Sequence, residues 1–193
     1  MRITLPSEVM GSMNGGRRDS SALERRLSNI TVQTLRNYCD VKGISGSSGL
    51  KKKDLVEFIA RKADRSALED FLSSCEADYL IDSFRRAVKW GKNDLIVRLD
   101  PRSGMRELHA EFNGLDVGLR RVYYVDFYET DNPKKIVTVC ECDDSRKRGL
   151  FCPHQMTVLI RGLKEGKIKL NKWQGPMTPE VRQGISAHLP RIR

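Results

Sequence analysis

A chain of 193 residues has room for one domain or two small ones, and 39% hydrophobic against 31% charged residues is an ordinary balance for a folded protein, which excludes wholesale disorder. The 35 Lys and Arg against 25 Asp and Glu leave a formal charge of +10, which favours polyanionic partners through counterion release and long-range attraction without choosing among DNA, RNA and anionic lipid. No run approaches the roughly 20 apolar residues that cross a bilayer, and Pro6, Ser7 and Glu8 interrupt any secretory signal. The expected location is intracellular: the nucleus of a eukaryote, or the cytoplasm or nucleoid of a prokaryote.

Residues 1–22 offer Gly, Ser, Asn and Arg without a sustained apolar period and read as a flexible basic tail. Organised sequence begins near Leu27. Thr31 can cap a helix with Val32, Leu35 and Cys39 on its apolar face and Tyr38 beside them, and Gly43 is placed to end it. A loop of small residues, Ile44 to Gly49, leads to a second helical pattern in which Leu55, Phe58 and Ile59 recur at i, i+3 and i+4. Lys51, Lys52 and Lys53 stand at its start, where cations oppose the helix dipole at a cost of up to about 1 kcal/mol unless an anion docks there.

Ser66 and Glu69 have capping-box spacing ahead of Leu68, Phe71, Leu72 and Cys75, which predicts a third short helix. A fourth is expected from Ala77 to Trp90 on Leu80, Ile81, Phe84 and Val88, closed by Gly91 and Asn93. After Asp94 the period becomes two. Leu95, Val97 and Leu99 predict a strand, with a turn at Asp100, Pro101, Ser103 and Gly104. Strands follow at Leu108–Phe112, Val122–Tyr128 and Ile136–Cys142, divided by Asn113-Gly114 and by Asp131-Asn132-Pro133, so an antiparallel meander is expected. Met156, Leu159, Ile160 and Leu163 predict a helix ended by Gly166, and Thr178-Pro179-Glu180 can start a last short one.

Five cysteines are an odd number, and three of them lie within thirteen residues beside a histidine, a pattern that suits a metal better than a disulfide framework. Cys140 and Cys142 are one residue apart at a strand end, where alternate side chains share a face. After nine intervening residues Cys152 and His154 repeat the gap around Pro153, at a turn into a helix. Three thiolates and one imidazole complete the tetrahedral shell of a structural zinc and leave no position for a reactive water. Ordinary buried or redox-active cysteines are the competing reading, although adjacent strand positions do not easily form an unstrained disulfide.

The run Cys140-x-Cys142, nine residues, Cys152-x-His154, entered by a strand and left by an apolar helix, resembles a SWIM zinc finger over roughly Leu95 to Lys164. Such modules are associated with DNA-binding or protein-binding roles in transposases, remodelling factors and recombination proteins. The front segment resembles a SAP domain, two helices flanking an extended loop that bind DNA: Thr31, Val32, Leu35, Gly43, Ile44, Gly49, Lys52, Leu55 and Ile59 fall where that pattern has its cap, apolar contacts, turn glycines and basic helix start. The resemblance implies that Lys51, Lys52 and Lys53 contact phosphate, assisted by the amides of the second helix. Arg146, Lys147 and Arg148, inside the metal loop, are the second candidate set, and a solvated charge run is the competing reading for both.

Catalytic readings are weaker. His109-Ala110-Glu111 mimics half of a zinc deaminase signature, but no Pro-Cys-x-x-Cys follows. Gly43, Gly46 and Gly49 lack the strand and the Gly-Lys-Ser/Thr ending of a nucleotide loop. Cys39 and Cys75 lie on apolar helical faces with no histidine near in sequence, His188 has no evident partner, and Trp173 reads as an anchor for its own tail. The expectation is an α+β protein without a catalytic site: a flexible tail (1–22), a helix-loop-helix module (23–65), a helical linker (66–93), a zinc-binding meander with strand-turn-helix (94–170) and a basic tail (171–193). Its expected partner is nucleic acid, with DNA favoured, and neither a membrane nor a small-molecule substrate. A zinc-module adaptor for protein partners and an RNA-binding protein are the alternatives.

Overall fold

A computed structural model of the chain describes residues 15–90, 96–102, 107–116, 119–129 and 136–189. Helix and antiparallel sheet are mixed, as the α+β expectation requires. Helix α1 (Gly15–Ser28) begins inside the stretch expected to be a tail. Its glycines and serines have low helix propensity, but Leu23 and Leu27, four apart and so on one face, are both buried with Ile30. Tertiary burial supplies what local propensity lacks.

Helix α2 (Val32–Val41) starts as its sequence predicts: the Thr31 hydroxyl accepts from the Thr34 amide at 3.2 Å, and Leu35, Tyr38 and Cys39 form the buried face. It stops at Gly43, whose φ of +65° lets Ile44 N donate to Cys39 O at 2.8 Å and Gly43 N to Asp40 O at 3.2 Å, a left-handed cap that satisfies two terminal carbonyls. Helix α3 (Lys52–Lys62) follows, burying Leu55, Val56 and Ile59.

Two separate helices were expected between Ser66 and Trp90, whereas the structure has one, α4 (Arg65–Trp90), of 26 residues. No Gly or Pro lies between its ends to break it. The expected cap also shifts: the Asp64 carboxylate, not the Ser66 hydroxyl, accepts from the helix, taking the Ala67 amide at 2.9 Å. Aspartate caps as well as serine, and Asp64 stands one residue ahead of the first helical position.

Strands β1 (Ile96–Arg102), β2 (Glu107–Asp116), β3 (Leu119–Glu129) and β4 (Ile136–Cys140) form one antiparallel sheet in sequential order, a meander. Two expected turns are instead strand. Asp100 and Pro101 pair with His109 and Leu108, because β1 is an edge strand and an edge tolerates a missing N–H. Asn113-Gly114 pairs with Val122 and Arg121, and the β2–β3 ladder runs on to Asp116↔Leu119, so the continuous ladder overrides a local turn signal. The turn residues Ser103, Gly104, Asp131, Asn132 and Pro133, the helix-closing Gly91 and Asn93, and Leu95 lie outside the described residues.

The remaining elements are a one-turn helix α5 (Asp143–Arg146), α6 (Pro153–Lys164), a 3-10 turn at Leu170–Lys172 and α7 (Pro179–His188), the last capped by Thr178 as its sequence suggests. The chain divides into two compact units, Met1–Leu72 and Ser73–Arg193. The first is centred on Leu27, Leu35, Leu55, Ile59, Leu68 and Leu72. The core of the second contains Val125, Phe127, Met156, Leu159, Trp173, Val181 and Ile185. Described residues of the expected basic tail therefore belong to that core. Among the described residues no helix is long and apolar enough to cross a membrane.

Gly184 shows why α7 needs its sequence. A Cβ there would stand 2.6 Å from the Phe84 ring, far inside van der Waals contact, so only glycine lets α7 approach α4 this closely. Gly184→Ala is expected to destabilise the second unit by about 1–3 kcal/mol through overpacking. A fall in the thermal midpoint of that unit, followed by near-ultraviolet circular dichroism, checks it; an unchanged midpoint refutes the packing argument.

Candidate metal centre

Strand β4 ends at Cys140, and Cys142 follows in extended backbone (φ −68°, ψ 160°), so the two side chains return to the same face as the spacing predicts. Cys152 is the N-cap of α6, Pro153 occupies its first turn, and His154 comes next. Proline suits that position because its missing N–H has no helical partner there. The four ligand-type atoms all lie within 4.8 Å of one another. Cys140 and Cys152 are fully buried, Cys142 nearly so, and His154 is half-buried.

Three sulfurs and one imidazole nitrogen in that space could hold one metal ion. The donor set fits: a tetrahedral shell with metal–sulfur bonds of about 2.3 Å places sulfurs roughly 3.8 Å apart. The electrostatics point the same way. Hydrogen bonds from Cys140, then from Cys152, hold Cys142 as a thiolate far below the usual thiol range. In return its hydrogen bond to Cys142 pushes Cys140 up to about 12, and Cys152 is raised by its bonds to Cys140 and Cys142. Three thiolates this close repel one another, and a divalent cation among them offsets that repulsion.

Sequence reasoning missed the side chains that hold the ligands in place. Gln155 is 3% exposed. Its Oε1 accepts from the Cys152 amide at 2.9 Å, its own amide donates to Cys152 Sγ at 3.5 Å, and its Nε2 donates to Thr138 Oγ1 at 3.3 Å. One side chain thus ties the start of α6 to β4, two residues before Cys140. The signal was present in the capping spacing of Cys152 and Gln155, with a thiol where a hydroxyl is usual. Gln155→Ala is expected to cost about 1–3 kcal/mol, because it strips buried partners rather than an exposed bond; a denaturant midpoint equal to that of the unsubstituted chain overturns this.

Trp90, the last residue of α4, places its ring centroid 5.4 Å from that of His154, tilted by 33°. Tyr79 on α4 donates to Asp144 Oδ2 at 2.9 Å, and Arg148 Nη1 donates to Asp144 Oδ1 at 2.9 Å with its guanidinium carbon 5.8 Å from the Tyr79 ring centroid. Burial, followed by the Asp144 charge, holds the Tyr79 phenol well above its usual value, so it stays a donor. Gly149, at φ +67°, turns the chain from α5 back toward Phe151 and Cys152.

The expected phosphate contacts differ in their surroundings. Lys51, Lys52 and Lys53 are all exposed at the start of α3, where Lys51 is the N-cap and its side chain caps nothing. Of the metal-loop set, Arg146 is exposed, Lys147 pairs with Asp143 at 2.9 Å and Arg148 with Asp144. Two of those three cations already face carboxylates of their own loop.

Other singled-out residues take structural places. Trp173 is buried against Phe151 and Phe127 at centroid distances of 5.3 and 5.8 Å, as an anchor should be. Cys39 is fully buried, and burial pushes its thiol up. Cys75 is half-buried and raised for the same first reason. Glu111 is half-buried on β2, paired with Tyr124, and the His109 side chain lies outside what is described. His188 Nδ1 donates to Gly184 O at 2.8 Å, and the ring meets Phe84 edge-on.

Comparison with family models, with curated proteins and with solved structures gave no match to this chain.

Proposed function

We propose that the chain is a non-catalytic nucleic-acid-binding protein, with duplex DNA as its partner, built from a SAP-like helical module and a SWIM-like module stapled by one zinc ion. The observation that carries the reading is the exposed Lys51–Lys53 cluster at the start of α3, on a chain of net charge +10. Three ammonium groups beside first-turn amides make an anion site that a phosphodiester would complete. The turn that precedes it also supports the SAP-like reading: α2 capped by Thr31, the left-handed stop at Gly43, and buried Leu35, Leu55 and Ile59.

For the metal, Cys140, Cys142, Cys152 and His154 would fill the tetrahedral shell of Zn2+ and leave it a structural role. When bound, zinc would supply a cross-link between the end of β4 and the start of α6. The clustering of the four donors supports this, as does their burial.

Protein binding is the second reading, and one observation favours it, though on the helical module rather than the zinc module of the adaptor expectation. Val41, 82% exposed, lines a groove with Tyr38, Ala67 and Phe71 whose other walls are the polar Thr34, Asn37, Lys42 and Asp70, a mixed apolar and polar lining that a protein segment could fill. Gel shifts with duplex DNA, single-stranded DNA and RNA over a salt series separate the readings. A duplex preference with a steep salt slope supports the proposal. Preference for RNA or the absence of any shift at low salt overturns it.

A further inference from the structure

The loop from Asp143 to Phe151 carries a metal-ligating cysteine at each end, so its shape sets how the two halves of the centre meet. Asp144 links the two ends of that loop. It follows Cys142 by two residues, and its carbonyl accepts from the Leu150 amide at 2.9 Å, two residues before Cys152. Its carboxylate has one oxygen on the Tyr79 hydroxyl of α4 and the other on Arg148 of the same loop, each at 2.9 Å. The Arg148 side chain is 39% exposed and that of Asp144 33%, so this is a partly desolvated network rather than a surface pair. Tyr79 and Asp144 are 65 residues apart, and no local rule predicts their meeting.

We infer that Tyr79 and Asp144 are positioning residues for the metal centre: their hydrogen bond fastens the ligand loop to α4 and presets the approach of Cys142 and Cys152 to a common point. The inference rests on the reading of the four-donor cluster as a metal site and deepens it. Neither residue supplies a ligand atom of that cluster. Each acts by narrowing the shapes the loop can take, so that less ordering remains to be done when the ion binds. Outer contacts of this kind change metal affinity by about 10–100-fold in known centres. Arg148 then has a task other than phosphate contact, since its hydrogen bond holds the Asp144 carboxylate in place.

The test uses the full chain loaded with zinc and measures release to an excess of chelator with a metal indicator. Tyr79→Phe removes only the hydroxyl, and Asp144→Ala removes the acceptor; both are expected to release zinc about tenfold faster. Asp144→Asn, which can still accept from Tyr79, restores much of the slow release. Cobalt-loaded samples add a readout that general loosening does not move. The visible bands of the thiolate–cobalt shell shift or broaden in Tyr79→Phe and Asp144→Ala. They do not in Gly184→Ala, a packing variant without a partner in the loop. Release from Tyr79→Phe and Asp144→Ala at the unsubstituted rate overturns the inference while leaving the metal reading intact. So does equal acceleration by Gly184→Ala with unchanged cobalt bands. A chain that holds no more metal than its Cys142→Ser variant sinks the metal reading, and this inference with it.

Discussion

Cys142→Ser and Cys152→Ser are each expected to lower the zinc content of the purified chain from about one ion to near zero, since a three-donor remnant of a four-donor site binds far more weakly. Zinc contributes on the order of 10 kcal/mol to the folding of small zinc modules, but here the consequence should be local. The second unit has its own apolar core, with Val125, Phe127, Met156, Leu159, Trp173, Val181 and Ile185 buried. That core is expected to survive loss of the ion, whereas β4, α5 and the first turn of α6 would lose the cross-link that gathers their ends. Amide hydrogen exchange should therefore rise across Ile136–Cys140, Asp143–Arg146 and the start of α6. It should stay unchanged in α2 and α3, whose buried Leu35, Cys39, Leu55 and Ile59 belong to the first unit. Stoichiometric metal in either serine variant, or none in the unsubstituted chain, would falsify the structural-zinc reading.

Reversal of Lys51, Lys52 and Lys53 to Glu together is expected to weaken duplex binding by at least about 100-fold at low salt. If about four to six phosphates are neutralised, log K falls against log salt with a slope of roughly −4 to −5. Removing three of those contacts flattens the slope by about 2.7. The same substitution places three carboxylates at the N-terminus of α3, where they favour the helix dipole by about 0.3–1 kcal/mol each. Binding and stability should thus move in opposite directions, which separates lost contacts from lost folding. All three side chains are exposed, so no packing is disturbed. Two results are incompatible with the assignment: undiminished binding by the triple variant, or a loss of binding accompanied by a fall in the melting temperature of the first unit.

Both experiments address elements that were legible in the sequence. Cys140, Cys142, Cys152 and His154 could be read directly because strand alternation and the turn into a helix fix which side chains share a face over a few residues. The caps at Thr31 and Gly43, the apolar faces of α2, α3 and α6, and the existence of a meander were legible for the same reason. The strand limits were not. Pro101 and Asn113-Gly114 carry local turn signals, yet cross-strand pairing with Leu108, Val122 and Arg121 keeps them in the sheet.

What the sequence determined by itself, then, was everything set within about one or two turns of chain: the donor set and its spacing, the positive start of α3, the helix ends and the α+β class. Tertiary structure alone decided the rest. It made a helix of the low-propensity run before Leu23 and Leu27 by burying those two leucines, and it enclosed Val181 and Ile185 in the second core, where Gly184 admits Phe84. It also brought Tyr79 to Asp144 across 65 residues. Side-chain periodicity specifies which face of an element is apolar, but not which distant element covers it. That choice is made by packing and by burial of polar partners summed over the whole chain.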